Sequence, residues 1–127
     1  MKIKLASVFV DDQEKALSFY TRMLGFVKKN DVQAGPYRWL TVVSPEGPQD
    51  LELVLEPNAN PAAAAYQKAI HDQGIPATMF FVDDIQKEYK RLQEMGVAFR
   101  GEPRQAGPAT IAIFEDTCGN LVQIAQL

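Results

Sequence analysis

Residues 8–12 read VFVDD, and residues 80–84 read FFVDD. The offset of 72 residues that relates the two stretches also carries Lys15 onto Lys87. An apolar stretch that ends in two aspartates therefore occurs twice in one short chain. An internal repeat of this kind predicts a pseudo-symmetric domain built from two modules, because two copies are too few for a solenoid.

Both copies continue in the same way after the aspartates. The carboxylates of Asp11 and Asp83 are predicted to cap the free N–H groups at a helix start. Glu14 and Gln86 follow three residues later, as in a capping box. Apolar residues spaced by three and four then predict a helix in each copy, which ends at a glycine suited to a left-handed cap. These glycines are Gly25 and Gly96. The alternative is that strand–Asp–helix–Gly, a common unit of α/β proteins, occurs twice by chance.

The predicted order of elements is the same in both halves: strand, helix and three strands. In the first half the strands are predicted at 3–10, 26–30, 37–43 and 51–55, with a turn-rich loop at 31–36. In the second half they are predicted at 77–82, 97–100, 109–114 and 121–126, with a loop at 101–108. Asn60 as N-cap and Pro61 as first helical residue predict a connector helix over about 60–74. We expect a single domain over 1–127, with one module at about 1–56 and the other at about 76–127.

The composition is ordinary for a globular chain. Of 127 residues, 46% are hydrophobic and 23% are charged, and the net charge is −3. The 13 Lys and Arg residues are scattered, so no basic stripe indicates nucleic acid or anionic lipid. Residues 1–4 alternate charged and apolar side chains, which predicts no signal peptide, and no segment is long enough to cross a bilayer. We expect a cytoplasmic protein with neither a nucleic-acid nor a membrane partner.

Two stretches of the chain resemble the signatures of the vicinal oxygen chelate superfamily. The first holds VFVDD, ALSFY at 16–20 and LGF at 24–26; the second is FEDTCGNLVQI at 114–124, in which Thr117 stands where proline is usual. This superfamily includes glyoxalase I, extradiol dioxygenases, fosfomycin resistance enzymes and bleomycin resistance proteins. The resemblance implies an α+β fold in which two tandem βαβββ modules form an incompletely closed eight-stranded sheet around a cavity. It also implies a homodimer, in some relatives with modules exchanged between chains.

Metal-dependent members of that superfamily place four ligands on the concave face of the sheet. Carried onto this chain, the usual His, Glu, His and Glu fall on Leu5, Glu52, Ala77 and Gln123. Leucine and alanine have no donor atom, and the amide oxygen of glutamine is a weak ligand. Glu52 alone would leave a transition metal with one protein ligand. We therefore expect no metal and no other cofactor.

Glu52 is the catalytic candidate that the pattern favours. Its neighbours Leu51 and Leu53 point to the other face of the strand, so Glu52 faces either the concavity or solvent. Among apolar walls such as Leu5 and Ala77, desolvation would raise the pKa of Glu52 and suit it to act as a general base or hydrogen-bond acceptor. The other residues predicted to line the cavity are Ser7, Trp39, Met79 and Gln123.

Two further reactive side chains are interpreted as structural. His71, the only histidine, lies on the predicted connector helix, where we expect it to be solvated. Cys118, the only cysteine, excludes an internal disulfide. It is expected in a surface turn without an adjacent basic residue to lower its pKa.

Three hypotheses of function follow. The first is a metal-independent protein that binds a small organic molecule in a mostly apolar cavity, as bleomycin resistance proteins do. The second is an enzyme of the glyoxalase or dioxygenase type, with either a non-standard metal site or Glu52 as base. The third is a dimeric scaffold without a ligand, which a collapsed cavity would favour.

Overall fold

The computed structural model describes all residues from 1 to 127, which form two compact units, Met1–Tyr66 and Gln67–Leu127. Each unit contains one four-stranded sheet. The predicted α+β class with two βαβββ modules is confirmed. No helix is both long and apolar enough to span a membrane.

The sheet of the first unit has the strand order β1-β4-β3-β2. Its strands are β1 (Leu5–Val10), β2 (Val27–Ala34), β3 (Tyr37–Val43) and β4 (Glu52–Pro57). β1 runs parallel to β4, and the other neighbours are antiparallel. The helix between β1 and β2 begins as α1 (Gln13–Ser18) and continues as a π-helical turn, Phe19–Met23.

The second unit repeats this arrangement with the order β5-β8-β7-β6. Its strands are β5 (Thr78–Phe81), β6 (Arg104–Ala106), β7 (Ala109–Glu115) and β8 (Leu121–Gln126), with α3 (Ile85–Glu94) after β5. The helix between the modules is α2 (Pro61–Asp72), within the predicted range of 60–74. The single-domain boundaries stay a prediction.

One face of each sheet packs against the helix of its own unit, because alternate strand residues are apolar and buried. In the first unit these buried residues include Val8, Val10, Leu40, Val42, Leu53 and Leu55, together with Ala16, Phe19 and Tyr20 of the helix. In the second they include Ala112, Phe114, Val122 and Ile124, together with Ile85 and Leu92. The other face of each sheet carries the predicted site residues.

Each helix is capped by the second aspartate of its pair, one residue later than predicted. Asp12 has an extended backbone, with φ of −152°, and its side chain accepts a hydrogen bond from the Lys15 amide at 3.0 Å. Asp84 accepts from the Lys87 amide at 3.1 Å in the same way. With Asp12 as N-cap, the capping-box position three residues later is Lys15, so Glu14 completes no capping box and pairs instead with Arg38 Nη1 at 2.6 Å.

Two segments that were predicted as loops contain strands. β2 continues to Ala34 because Gly35 and Pro36 alone make the turn into β3, with Gly35 at φ +62°. A glycine at the first central position favours a tight two-residue hairpin. In the second unit β6 precedes the equivalent turn at Gly107, whereas the predicted strand 97–100 is reduced to one bridge between Phe99 and Phe114.

Candidate functional site

Four of the predicted site residues lie on one face of the first sheet. Leu5 is paired with Glu52 and Ser7 with Val54, and Val54 is paired on its other side with Thr41 of β3. Because strand side chains alternate with a period of two, Trp39 shares this face with Thr41. We call this surface the open face of the first sheet. It consists of every second residue of β1, β4 and β3, counted from Leu5, Glu52 and Trp39.

Glu52 is held on the open face by a hydrogen-bonded cluster. The Thr41 hydroxyl donates to Glu52 Oε1 at 2.7 Å, and Asn30 Nδ2 donates to the same oxygen at 2.7 Å. Thr41 is fully buried, and its hydroxyl oxygen also accepts from the Asn30 amide at 3.2 Å. Lys29 Nζ lies 3.7 Å from Glu52 Oε2. We call Lys29, Asn30, Thr41 and Glu52 the Glu52 cluster.

A β-bulge builds this cluster. The register between β2 and β3 shifts between Lys28 and Asn30, so Lys29 is an extra residue without its own partner on β3. A bulge redirects side chains locally, which lets consecutive residues of β2 both reach Glu52. Sequence periodicity did not predict Asn30 as a site residue, because the bulge interrupts the alternation of side chains on β2. Thr41 was missed although it lies two residues from Trp39 on a regular strand.

The pKa of Glu52 is lowered, contrary to the raised value predicted for an apolar cavity. The hydrogen bond from Thr41 is the largest cause; it outweighs desolvation, and Asn30 and Lys29 lower the pKa further. Donors that stabilise a carboxylate hold it in the charged form. Glu52 is thus a stable anion that accepts hydrogen bonds, and it lacks the elevated pKa that favours a general base near neutral pH.

Farther along the same face, residues of the first unit line an open cavity of about 680 Å³. Three aromatic side chains contribute to its wall: Phe9 of β1, Trp39 of β3 and Tyr66 of α2. Trp39 is 41% exposed and Tyr66 is 61% exposed, so both rings can be reached by a ligand. The volume lies in the range of small-molecule sites, which are mostly apolar with a few polar groups.

Three polar residues line this cavity: Arg38, Glu56 and Asn60. Asn60 caps α2, since its side chain accepts from the Ala62 amide at 2.9 Å. Arg38 binds Asp31 through Nε and Nη2, at 2.9 and 2.7 Å. This pairing raises the pKa of Arg38 and lowers the pKa of Asp31 to about 2.

Of the predicted site residues, Trp39 lines this cavity, whereas Leu5, Ser7 and Glu52 lie outside its lining on the same open face. Sequence reasoning missed Phe9, Glu56 and Tyr66. The signal for Glu56 was present, because steps of two from Glu52 reach Val54 and Glu56. The predicted strand stopped at residue 55, whereas β4 continues to Pro57.

The remaining predicted residues lie on the corresponding face of the second sheet. Met79 of β5 is paired with Gln123 of β8, which is paired with Ile113 of β7. Gln123 Nε2 lies 3.1 Å from Met79 Sδ. Ala77 precedes β5, and its amide donates to the Leu121 carbonyl at 2.8 Å. A cavity that combines these residues with Glu52 stays a prediction.

The donors at the four ligand positions do not fit the metal centre of the metal-dependent superfamily members. Leu5 and Ala77 carry no donor atom, and Glu52 already accepts hydrogen bonds from two neutral side chains. The strand register also makes Val54, rather than Glu52, the residue equivalent to Gln123. Ser7 and Met79 are related by the offset of 72 residues, and Ser7 is paired with Val54 whereas Met79 is paired with Gln123. By register, then, three of the four positions are apolar.

His71 is half-buried in an ion-pair cluster and is therefore not the solvated helix residue that was predicted. Its Nε2 lies 2.9 Å from Glu115 Oε2, and Arg100 Nη2 lies 2.7 Å from Glu115 Oε1. Burial raises the pKa of Glu115, but the hydrogen bonds from His71 and Arg100 outweigh it, so the pKa is lowered. The cluster connects α2, β7 and the segment before β6 within the second unit.

Cys118 is fully buried, whereas a surface position was predicted. Its turn folds around Asp116, whose Oδ1 accepts from the Cys118 and Asn120 amides at 2.7 and 3.0 Å. Gln67 Nε2 closes the turn by donating to the Cys118 carbonyl at 3.1 Å. Thr117 has φ of +65°, which proline cannot adopt, so this turn differs in conformation from one that carries the usual proline.

The chain belongs to the Glyoxalase/Bleomycin resistance protein/Dioxygenase superfamily, whose family model matches residues 2–124. It is 60% identical over 126 residues to the protein YurT of Bacillus subtilis (strain 168), with 99% of both chains covered. The solved structure of UcmS2 matches with a TM-score of 0.83 and 32% identity, over 98% of this chain and 97% of UcmS2.

A second solved structure is TnmS3, an antibiotic binding protein from Streptomyces sp. CB03234. It matches with a TM-score of 0.78 and 32% identity, over 99% of this chain and 95% of TnmS3. The resemblance read from the two signature stretches is therefore confirmed at the level of the superfamily.

Proposed function

We propose that this protein binds a small organic molecule without the help of a metal, in the manner of the bleomycin-resistance-like members of its superfamily. The observation that carries the proposal is the cavity of about 680 Å³ with Phe9, Trp39 and Tyr66 in its wall. Partly exposed aromatic rings provide a large apolar contact area for a ligand. The similarity to TnmS3, itself described as antibiotic binding, supports the same class of function.

Metal independence is supported by the donor set. Leu5 and Ala77 offer no lone pair, and Gln123 is a neutral amide. Sequestration of a ligand requires shape and apolar area, which the cavity offers without a Lewis acid. The rival enzyme hypothesis with Glu52 as base is disfavoured by the lowered pKa of that carboxylate.

A homodimer, with or without module exchange, and a cytoplasmic location are parts of the same proposal. The second sheet supports an association of two chains, because Met79 is 44% and Phe81 is 61% exposed on its open face. Exposed apolar clusters commonly mark interaction surfaces. Sedimentation over a range of protein concentrations would measure this association.

Native mass spectrometry of the protein as purified tests the proposed function, with a denatured sample as control. We expect a native mass without a divalent ion, together with a small organic adduct that is lost on denaturation. Extraction and identification of that adduct would then give the ligand directly. A stoichiometric divalent ion retained through purification would contradict the metal-independent proposal and favour the enzyme hypothesis.

A further inference from the structure

We propose that the ligand of the cavity in the first unit is a planar aromatic molecule with a positive charge, and that Glu56 selects for this charge. The inference rests on the proposed function, since it specifies the chemical class of the small molecule. Three independent features of the cavity carry it: an uncompensated carboxylate, a neutralised arginine and a set of exposed rings.

Glu56 provides the uncompensated charge. It lies near the end of β4 opposite Phe9 of β1, is half-buried, and lines the cavity. No salt bridge or side-chain hydrogen bond within the chain engages its carboxylate. A partly desolvated carboxylate without a partner interacts most favourably with a cation. Glu56 contrasts with Glu52 on the same strand, whose carboxylate is already satisfied by the Glu52 cluster.

Arg38 also contributes to the cavity wall but does not compensate Glu56, because alternation along β3 places its side chain with Leu40 on the helix-packed side of the strand. Two carboxylates bind its guanidinium: Asp31 through Nη2 at 2.7 Å and Glu14 through Nη1 at 2.6 Å. Lys28 Nζ also lies 3.3 Å from Asp31 Oδ2, so these two cations and two carboxylates together carry no net formal charge. Glu56 is therefore the uncompensated charge of the cavity lining, and it favours cationic over anionic ligands.

The aromatic rings define the rest of the ligand. Phe9 and Trp39 come from strands on the open face, and Tyr66 comes from α2. Aromatic faces bind planar apolar molecules, and they attract cations through the ring quadrupole. An aromatic ring system with a quaternary or protonated nitrogen satisfies both the rings and Glu56 at once.

Three acridine probes of similar shape separate charge from shape: the cation N-methylacridinium, neutral acridine and an anionic acridine carboxylate. Isothermal titration calorimetry in slightly alkaline buffer, where acridine is neutral, would give the affinity of each probe. Trp39 is the only tryptophan of the chain, so quenching of its fluorescence locates the bound probe at this cavity. We expect the cation to bind about fivefold more tightly than the neutral probe, and the anion to bind most weakly.

Glu56→Gln removes the charge and keeps the shape of the side chain, so we expect it to abolish the preference for the cation without weakening acridine. Glu46→Gln is the matched control, because Glu46 is an exposed carboxylate in the loop between β3 and β4, outside the cavity lining. It changes the net charge equally and should leave the preference intact. Glu56→Asp, which retains the charge, should keep part of the preference, and thermal melts would verify folding of each variant.

Equal binding of the cation and the neutral probe to the wild type would overturn the charge inference and leave small-molecule binding standing. Retention of the full preference in Glu56→Gln would overturn the assignment to Glu56. Failure of all three probes to bind would overturn this inference and, with it, the aromatic-cavity basis of the proposed function.

Discussion

The two modules share a scaffold but differ in what they display on it. The offset of 72 residues extends to the hairpins, where both copies read QAGP, at 33–36 and 105–108. Gln33 Nε2 donates to the Gly35 carbonyl at 2.7 Å, and Gln105 Nε2 donates to the Gly107 carbonyl at 2.8 Å. The turn that follows the first strand of each hairpin is therefore stabilised by the same hydrogen bond in both modules.

The open faces of the two sheets differ at equivalent register positions. Phe9 is paired with Glu56 in the first module, and Phe81 is paired with Ala125 in the second. Trp39 of the first module corresponds to Ile111 of the second, which is paired with Ala125. Thus the charge and the indole needed for the proposed ligand occur in the first module alone. A repeated scaffold fixes the positions, and the side chains at those positions set the chemistry.

The two modules differ in how tightly the backbone is constrained in the turn before the last strand, and Gly119→Ala tests this difference. Gly119 has φ of +98°, and an added Cβ would lie 2.8 Å from Gln67 Nε2. Backbone strain together with displacement of the Gln67 hydrogen bonds should lower the free energy of unfolding by about 2 kcal/mol. Urea denaturation would measure this loss.

The matched control for that variant is Gly47→Ala in the connection between β3 and β4 of the first module. An added Cβ there meets ordinary contacts, the nearest being Ser44 Cβ at 3.5 Å. We expect a change within about 0.5 kcal/mol. Equal losses of unfolding free energy in the two variants would contradict the tighter constraint at Gly119.

The second test concerns the polar cluster on the first open face. Thr41→Val removes the hydroxyl that donates to Glu52 and accepts from Asn30, in a fully buried position. We expect a loss of about 1–2 kcal/mol of unfolding free energy, because buried polar groups lose a partner. Ile113, the equivalent residue of the second module by register, shows that an apolar side chain suits the position sterically.

Thr41→Ser retains the hydroxyl and should recover most of that stability. Carboxyl NMR titration should also show the pKa of Glu52 rising toward its ordinary value in Thr41→Val, because the hydrogen bond from Thr41 is the main cause of the lowered value. An unchanged pKa in the valine variant would contradict this assignment of the cause.

The third and smallest effect is a pH dependence specific to the first module. Arg38 lowers the pKa of Asp31 to about 2. Since the folded pKa lies below the ordinary aspartate value of about 3.9, this pair contributes stability above that value and loses it as the pH falls toward 2. The effect should be small because the pair is solvent-accessible.

Acid denaturation of Asp31→Asn should therefore show less loss of stability across that pH range than the wild type. Asp50→Asn is the control, because its contact with Lys4 is exposed and long, at 3.9 Å. An identical acid profile for wild type and Asp31→Asn would show that the Arg38 pair does not contribute to folding stability.

Local sequence signals predicted the scaffold well. Three features were predicted correctly because each depends on neighbouring residues. They are the repeat at Val10 and Val82, the helix ends at Gly25 and Gly96, and the last strand. The errors were also local in origin. The cap moved from Asp11 to Asp12 because two adjacent aspartates compete for one role.

The candidate site was predicted only in part. Trp39 was read as a cavity residue, and it lines the cavity of the first unit. The Glu52 cluster depends on a bulge at Lys29, which no periodic pattern reveals. The pairing of His71 with Glu115 joins residues 44 positions apart, so no local pattern could have predicted it.

The sequence by itself determined the two βαβββ modules and the superfamily, because capping, turn formation and alternation of apolar residues act over a few neighbouring positions. Only the tertiary structure decided which carboxylate is satisfied and which is free. Glu52 and Glu56 look alike along the strand, but donors from β2 and β3 reach Glu52, and Glu56 faces the aromatic cavity. The charge environment of a side chain depends on residues distant in sequence, so it is fixed only when the strands come together.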